Sequence, residues 1–340
     1  MCDIFEYSKT NSTGFTPHDT KWIPNSARFV VLGATAKSTG RLSIYELSEN
    51  GVALVGSIEQ KSGLQCGTFG AHILPQRLFA TGNLSGEMEV WDLERLTKPQ
   101  SVINAHDSAI NAIDGCGGGS NQVGAQEIVT GSRDGVVKVW DTRVDDAVAV
   151  FDSNDSHTCE CWSVAFGNSY NDEERCILAG YENGDVKLFD LRTGTIRYEE
   201  HLANGICSVE FDRKDIAMNK FAVACLESQL ITFDARTEEV GSKIKSTHHE
   251  VTTRTTIWGV RHMPQNREIS ALLLGDGSVE LYKYEYPGNR MKEPGILKRI
   301  VAKALAPQPI NAWDWHQEKR GLAVCTGFDQ AIRVVLATGS

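Results

Sequence analysis

EIVTGSRDGVVKVWDTR, residues 127–143, spells two short strands and the turn between them. Apolar and polar residues alternate on both sides of Asp134-Gly135, the pairing that favours a tight hairpin because glycine accepts positive φ at little cost. The second strand closes on Trp140-Asp141. Strands of five or six residues with a tight turn cannot cover their own apolar faces, so this unit needs neighbours of the same kind.

The chain supplies them. Related endings are GRLSIYE (40–46), GEMEVWD (86–92), GDVKLFD (184–190), SQLITFD (228–234), GSVELYK (277–283) and QAIRVVL (330–336). Their closing residues with Trp140 are Tyr45, Trp91, Phe189, Phe233, Tyr282 and Val335, and the successive separations along the chain are 46, 49, 49, 44, 49 and 53. A second ladder runs in phase with the first: TKWIP at 20, CGTFG at 66, NAIDG at 111, WSVAF at 162, CSVEF at 207, WGVRH at 258 and NAWDW at 311. A period of 40–50 residues with several short strands per unit is the signature of a β-propeller, one four-stranded sheet per repeat. The expected fold is all-β, a seven-bladed propeller spanning 1–340 as one domain. Rows such as Val137/Val139 and Val186/Leu188 should form buried faces, with the closing aromatics between blades. Little chain follows Val335, so residues 3–8, DIFEYS, are expected to pair with 330–337 and complete the blade formed by 309–337.

The 340 residues carry a formal net charge of −10, which disfavours nucleic acid as a partner because phosphates are repelled. No apolar run reaches the roughly 18 residues of a membrane span. MCDIFEYSKT has neither a basic start nor an apolar stretch, so no secretory leader is expected. Nine cysteines, an odd and sparsely spaced set, read as reduced thiols of a cytoplasmic or nuclear protein.

Three segments invite chemistry and decline it. GCGGGSNQVGAQ (115–126) is glycine-rich but lacks the Gly-Lys-Ser/Thr ending of a phosphate cradle, and reads as a loop. His157-x-Cys159-x-Cys161 lacks the second ligand pair of a zinc site. His106 and Asp134 could be drawn as a catalytic dyad, but their places beside a strand start and a turn suit a structural network better. No cofactor and no metal is expected, and no enzyme chemistry stands out. Candidates for partner binding are the residues that open the inner strands at one mouth of the ring: Thr20, Cys66, Asn111, Trp162, Cys207, Trp258 and Asn311. Among them Trp162 and Trp258 are the natural anchors for a peptide. Arg143, Arg192 and Arg236 each follow a closing aromatic by three residues and should emerge at the opposite end. The segment 283–303 holds six basic and two acidic residues. It reads as a solvated outer strand with a loop, or as a docking site for an acidic partner.

The third repeat resembles the WD-repeat family, whose fuller repeats link a His, a strand Ser or Thr, the turn Asp and the Trp by hydrogen bonds. Here the matching residues are His106, Thr130, Asp134 and Trp140. In WD-repeat substrate receptors of cullin-4 ubiquitin ligases an arginine at the place of Arg143, Arg192 and Arg236 meets the adaptor, so a ligase receptor is an alternative reading. The words between the repeats are more specific. CWSVAFGNSYNDEER, FDRKDIAMNK, VRHMPQNRE, KYEYP and KRGLAVCTGFDQAIRV together resemble the Monad family of WD-repeat proteins, also called WD repeat-containing protein 92 or dynein axonemal assembly factor 10. The resemblance covers nearly the whole chain and departs at Thr247–Thr256 and in 288–303. It implies a cytoplasmic adaptor working with a prefoldin-like module and RuvB-like AAA+ ATPases. Its implied clients are axonemal dynein heavy chains before their transport into cilia.

Overall fold

A computed structural model describes residues 3–10, 12–71, 77–117, 125–152, 159–169, 174–239 and 243–339. They form seven antiparallel sheets of four strands each. Blade 1 runs through Thr16–Trp22, Arg28–Ala34, Gly40–Ser48 and Gly51–Gln60 in chain order, from inner strand to outer. Blades 2 to 6 repeat that order from inner strands Leu64–Thr68, Ile110–Cys116, Cys161–Asn168, Ile206–Phe211 and Ile257–Met263. Inner strands of consecutive blades pack together, and that of blade 7, Ile310–Trp315, packs against that of blade 1, so the ring closes. The only α-helical piece among the described residues is the single turn Arg236–Glu239.

Position in the blade explains the local sequence. Second strands lie between two sheets and are apolar on both faces: Phe221–Cys225 is FAVAC and buried throughout. Outer strands have one wet face and alternate, as in Ala147–Phe151, where Val148 and Val150 are about half exposed. Val137, Val139, Val186 and Leu188 are all essentially buried. The closing aromatics fill the joints between blades. Phe233 stacks on Phe221 with centroids 4.8 Å apart, within a core that continues into Leu178 and Leu188 of the preceding blade. Tyr45 stacks on Phe29 at 5.7 Å against Val324 and Val334 of blade 7. Each fully buried ring of this size contributes about 2–3 kcal/mol.

The seventh blade takes its outermost strand from the other end of the chain. Asp3–Lys9 pairs antiparallel with Ile332–Thr338, from Asp3 opposite Thr338 to Lys9 opposite Arg333, with a bulge between Glu6 and Ser8. Ile4 is completely buried among Trp313, Trp315, Val335 and Ala337, so the pairing is sealed by packing as well as by backbone bonds.

The turns between second and third strands each place one residue at positive φ. Gly135 (φ +84°) serves in blade 3. Blade 5 is one residue shorter here, and Ser228 (φ +61°) takes the place of the glycine, its hydroxyl donating to the Thr255 carbonyl at 3.0 Å.

Candidate functional site

Blade 3 carries the four-residue network. His106 contacts an Asp134 carboxylate oxygen through Nδ1 at 3.0 Å and the Thr130 hydroxyl through Nε2 at 2.7 Å. Trp140 donates its indole N–H to that same hydroxyl at 2.9 Å. Burial pulls the Asp134 carboxyl up, but the bonds from His106 and from the Val136 N–H outweigh it and hold the group below its usual range. Thr130 is fully buried and His106 nearly so. The four side chains spend their polar atoms on one another and on backbone, which makes the arrangement a brace. Blade 2 keeps half of it, with Trp91 donating to Thr81 at 3.0 Å. Blade 6 builds a substitute that the sequence pattern did not reveal. His249, on the outer strand of blade 5, meets the Tyr282 hydroxyl at 3.0 Å; Tyr282 donates to Glu280 at 2.7 Å; Arg299 donates to the other oxygen of Glu280 at 3.0 Å. The signal was the histidine pair 248–249, which lies across a blade boundary and so falls outside any single repeat.

A β-bulge sets the mouth of the ring. Every inner strand skips one residue of its register near its start, at His18, Gln65, Asn111, Trp162, Cys207, Trp258 and Asn311. A bulge re-aims a side chain without lengthening the partner strand. Three of these side chains reach the next blade and bind the carbonyl of the residue just before its bulge. His18 Nδ1 meets the Leu64 carbonyl at 2.8 Å, Asn111 donates to Cys161 at 3.1 Å, and Asn311 donates to Pro17 at 2.5 Å. Asn111 and Asn311 are therefore occupied in tying blades together. The expected mouth positions Thr20 and Cys66 are corrected to His18 and Gln65. Blade 1 begins four residues before Thr20, whose hydroxyl is buried on the Val30 carbonyl at 2.9 Å. Cys66 lies one residue past the bulge, buried, with its thiol facing the Ile110 carbonyl.

Blades 2, 4, 5 and 6 make no such cross-blade bond from the bulge among the described residues. Gln65 holds the place in blade 2, and Trp162, Cys207 and Trp258 hold it in blades 4, 5 and 6. The Trp162 indole donates to Glu160 at 3.2 Å, and Arg133 holds the other oxygen of that carboxylate at 3.1 Å. A side chain on Gly205 would stand 2.9 Å from the Trp162 ring and 3.2 Å from a Leu226 methyl, so glycine seats the indole there. Trp258 is 38% exposed and meets Phe328 edge to face, centroids 5.7 Å apart. Glu182, Glu227 and Asp276 stand exposed in the turns of the same three blades.

At the opposite end Arg143, Arg192 and Arg236 are exposed. Arg143 turns back on Asp141 through two nitrogens, at 2.9 and 2.5 Å, and Arg192 binds Glu174 at 2.7 Å. The long connections at this end cross between blades. Lys220, completely buried, binds Asp212 at 2.9 Å and the Tyr286 hydroxyl at 3.1 Å. Arg290 pairs with Asp234 and lies over the Tyr286 ring at 4.8 Å. The non-repeat words FDRKDIAMNK and KYEYP thus meet in one clamp between blades 5 and 6. Of the six cations in 283–303, five face the protein's own carboxylates: Lys283 Glu268, Arg290 Asp234, Lys298 Glu285, Arg299 Glu280 and Lys303 Asp3. A groove of about 650 Å³ opens between blades 7 and 1, lined among others by Trp22, Leu47, His316, Lys319, Leu322 and Leu336. His157 and residues 118–124 lie outside the described residues. Cys161 is buried, and desolvation pushes its thiol well up. No helix among the described residues is long and apolar enough to cross a membrane.

Comparison with known proteins agrees with this architecture. The model of the WD domain, G-beta repeat, matches residues 97–141, the stretch that ends on Trp140-Asp141 and contains the full network. Over 334 residues, 95% of this chain and 93% of the relative, the sequence is 47% identical to "Dynein axonemal assembly factor 10" of Chlamydomonas reinhardtii. It is 45% identical to the Homo sapiens protein of that name over 95% of this chain and 94% of the relative. It is 25% identical to the one from Dictyostelium discoideum, over 94% of this chain. With near-complete coverage in both directions and seven blades to carry it, the chain belongs to the dynein axonemal assembly factor 10 family of WD-repeat propellers.

Proposed function

We propose that this protein is a non-catalytic adaptor in the cytoplasmic preassembly of axonemal dynein. Its partners would be a prefoldin-like module and RuvB-like AAA+ ATPases, and dynein heavy chains its clients. The observation that carries the reading is the likeness to relatives named for dynein axonemal assembly along nearly their whole length. The fold suits the role. A closed ring offers two rims and seven outer edges on one rigid body, and an adaptor contact needs only about 800 Å² per partner.

The test is deletion of the gene in a ciliated organism, followed by electron microscopy of axonemes and immunoblotting of heavy chains. Loss of dynein arms with unstable heavy chains is the expected result, and normal arms would refute the proposal. Affinity purification with mass spectrometry should return the chaperone subunits. The ligase-receptor reading rests on Arg143, Arg192 and Arg236 at one rim. Arg143 and Arg192 spend donors on Asp141 and Glu174, which leaves less for a partner. Recovery of a cullin-4 adaptor that vanishes with Arg143→Ala plus Arg192→Ala would revive it.

A further inference from the structure

We infer that the mouth of the ring over blades 4–6 is a docking face for an extended peptide segment bearing lysine or arginine side chains. The inference rests on the adaptor reading only in supposing a protein partner, and it names the chemistry of contact.

The first argument is what these blades give up. At the bulge, blades 1, 3 and 7 use His18, Asn111 and Asn311 to bind the neighbouring strand. Trp162, Cys207 and Trp258 hold the same place in three consecutive blades and, like Gln65 of blade 2, make no such bond among the described residues. Each tryptophan packs on the following blade, Trp162 on Gly205 and Trp258 on Phe328, without a hydrogen bond to its strand, and Trp258 is left 38% exposed with no acceptor for its indole N–H among the described residues. Leu226 beside Trp162, and Phe328 beside Trp258, extend the apolar surface.

The second argument is charge. Glu182, Glu227 and Asp276 are exposed in the turns of these same blades and pair with no cation among the described residues. Among the described residues Asp276 accepts only from Ser278, through its backbone N–H at 2.9 Å and its hydroxyl at 2.6 Å. The comparable turn acids elsewhere are spent: Asp134 on His106, Asp329 on Arg333. The nearby cations are spent as well, Arg133 on Glu160 and Arg254 on Glu250 at 3.6 Å. Indole faces attract a cation through the ring quadrupole, and unpaired carboxylates at the rim reinforce the attraction while repelling phosphate. Aromatic anchors within a polar rim are also how peptide contacts concentrate their affinity. A lysine or arginine side chain fits both demands, its stem on the tryptophan and its charge toward the carboxylates.

The test is fluorescence anisotropy with the full chain and a labelled glycine-serine-leucine peptide carrying several lysines. Counterparts carry arginine, norleucine or glutamate at the same places. The lysine and arginine peptides should bind at least about tenfold more tightly than the norleucine peptide, and less so as salt rises. Trp258→Ala should erase most of that advantage, as should Glu182→Gln, Glu227→Gln and Asp276→Asn combined. The three neutralised acids are exposed, so that variant keeps its fold and carries the test if Trp258→Ala does not. Equal binding of the lysine and norleucine peptides would overturn the inference. So would a lysine advantage that survives both variants. Neither outcome bears on dynein-arm loss in the deletion strain, so the two readings stand or fall separately.

Discussion

Asp314 sits on the inner strand of blade 7 and accepts the Trp22 N–H of blade 1 at 2.7 Å. Desolvation pushes its carboxyl up to about 6, against the pull of Lys21 and of that N–H. A carboxyl whose folded value lies above the unfolded value of roughly 4 favours folding most when protonated. Its contribution is therefore full below about pH 4 and is lost as pH rises through about 6. Two units correspond to about 3 kcal/mol, and the partial exposure of the side chain brings the expected effect nearer about 1 kcal/mol. Asp314→Asn keeps the acceptor and removes the charge. Urea unfolding should show the variant more stable than the parent at about pH 8 and equal to it at about pH 4; a shift of the same size at both would count against the burial argument. The blade 3 brace makes a second residue-scale claim. Thr130→Val keeps the shape and deletes the hydroxyl shared by His106 and Trp140, so it should cost about 2 kcal/mol in the same assay. A loss within error of zero would mean that packing alone holds the blade.

Among elements, the turns and the bulges differ in how much they disclose. The Asp134-Gly135 turn was legible because its residues are the ones its backbone demands. The bulges were not. An inner strand with one extra residue still looks like an apolar run, and only pairing with the neighbouring strand shows where the register slips; hence the displacement at Thr20 and Cys66. The blade 5 turn was legible as one residue short, but not that Ser228 would accept a left-handed backbone. The same strain recurs at Gln330 (φ +59°) in blade 7, where its side chain makes, among the described residues, only a 3.4 Å contact with Ser12. Gln330→Gly should therefore raise the thermal midpoint, by up to about 1 kcal/mol of stability. Gly135→Ala should lower it by at least about 1 kcal/mol, since φ is +84° and the new methyl would lie 2.8 Å from the Cys159 carbonyl. Differential scanning calorimetry of the two variants reads both shifts, and a lower midpoint for Gln330→Gly or a higher one for Gly135→Ala would refute the assignment of strain. The inter-blade clamp around Lys220 escaped sequence reasoning for another reason. FDRKDIAMNK and KYEYP are some 66 residues apart at Lys220 and Tyr286, and nothing periodic connects them.

For the molecule as a whole, the count of blades and the seam between 3–9 and 332–338 followed from the period, because a seventh unit one strand short must borrow that strand. What the repeat could not disclose is which blades are alike in structure yet different in use, since packing treats Trp162 and Asn111 as the same position. Ile4→Asp places a charge in the core of Trp313 and Trp315. It should open the seam, with a fall in the thermal midpoint and concentration-dependent association visible by light scattering. A variant that melts and sediments as the parent does would show that the seam is dispensable. The seam also sets a timetable. Residues 3–9 leave the ribosome more than three hundred residues ahead of their partners at 332–338. The nascent hoop therefore stays unlatched while the residues between them are made, with Ile4 uncovered, and any stall before Ile332 leaves a polypeptide that cannot fasten.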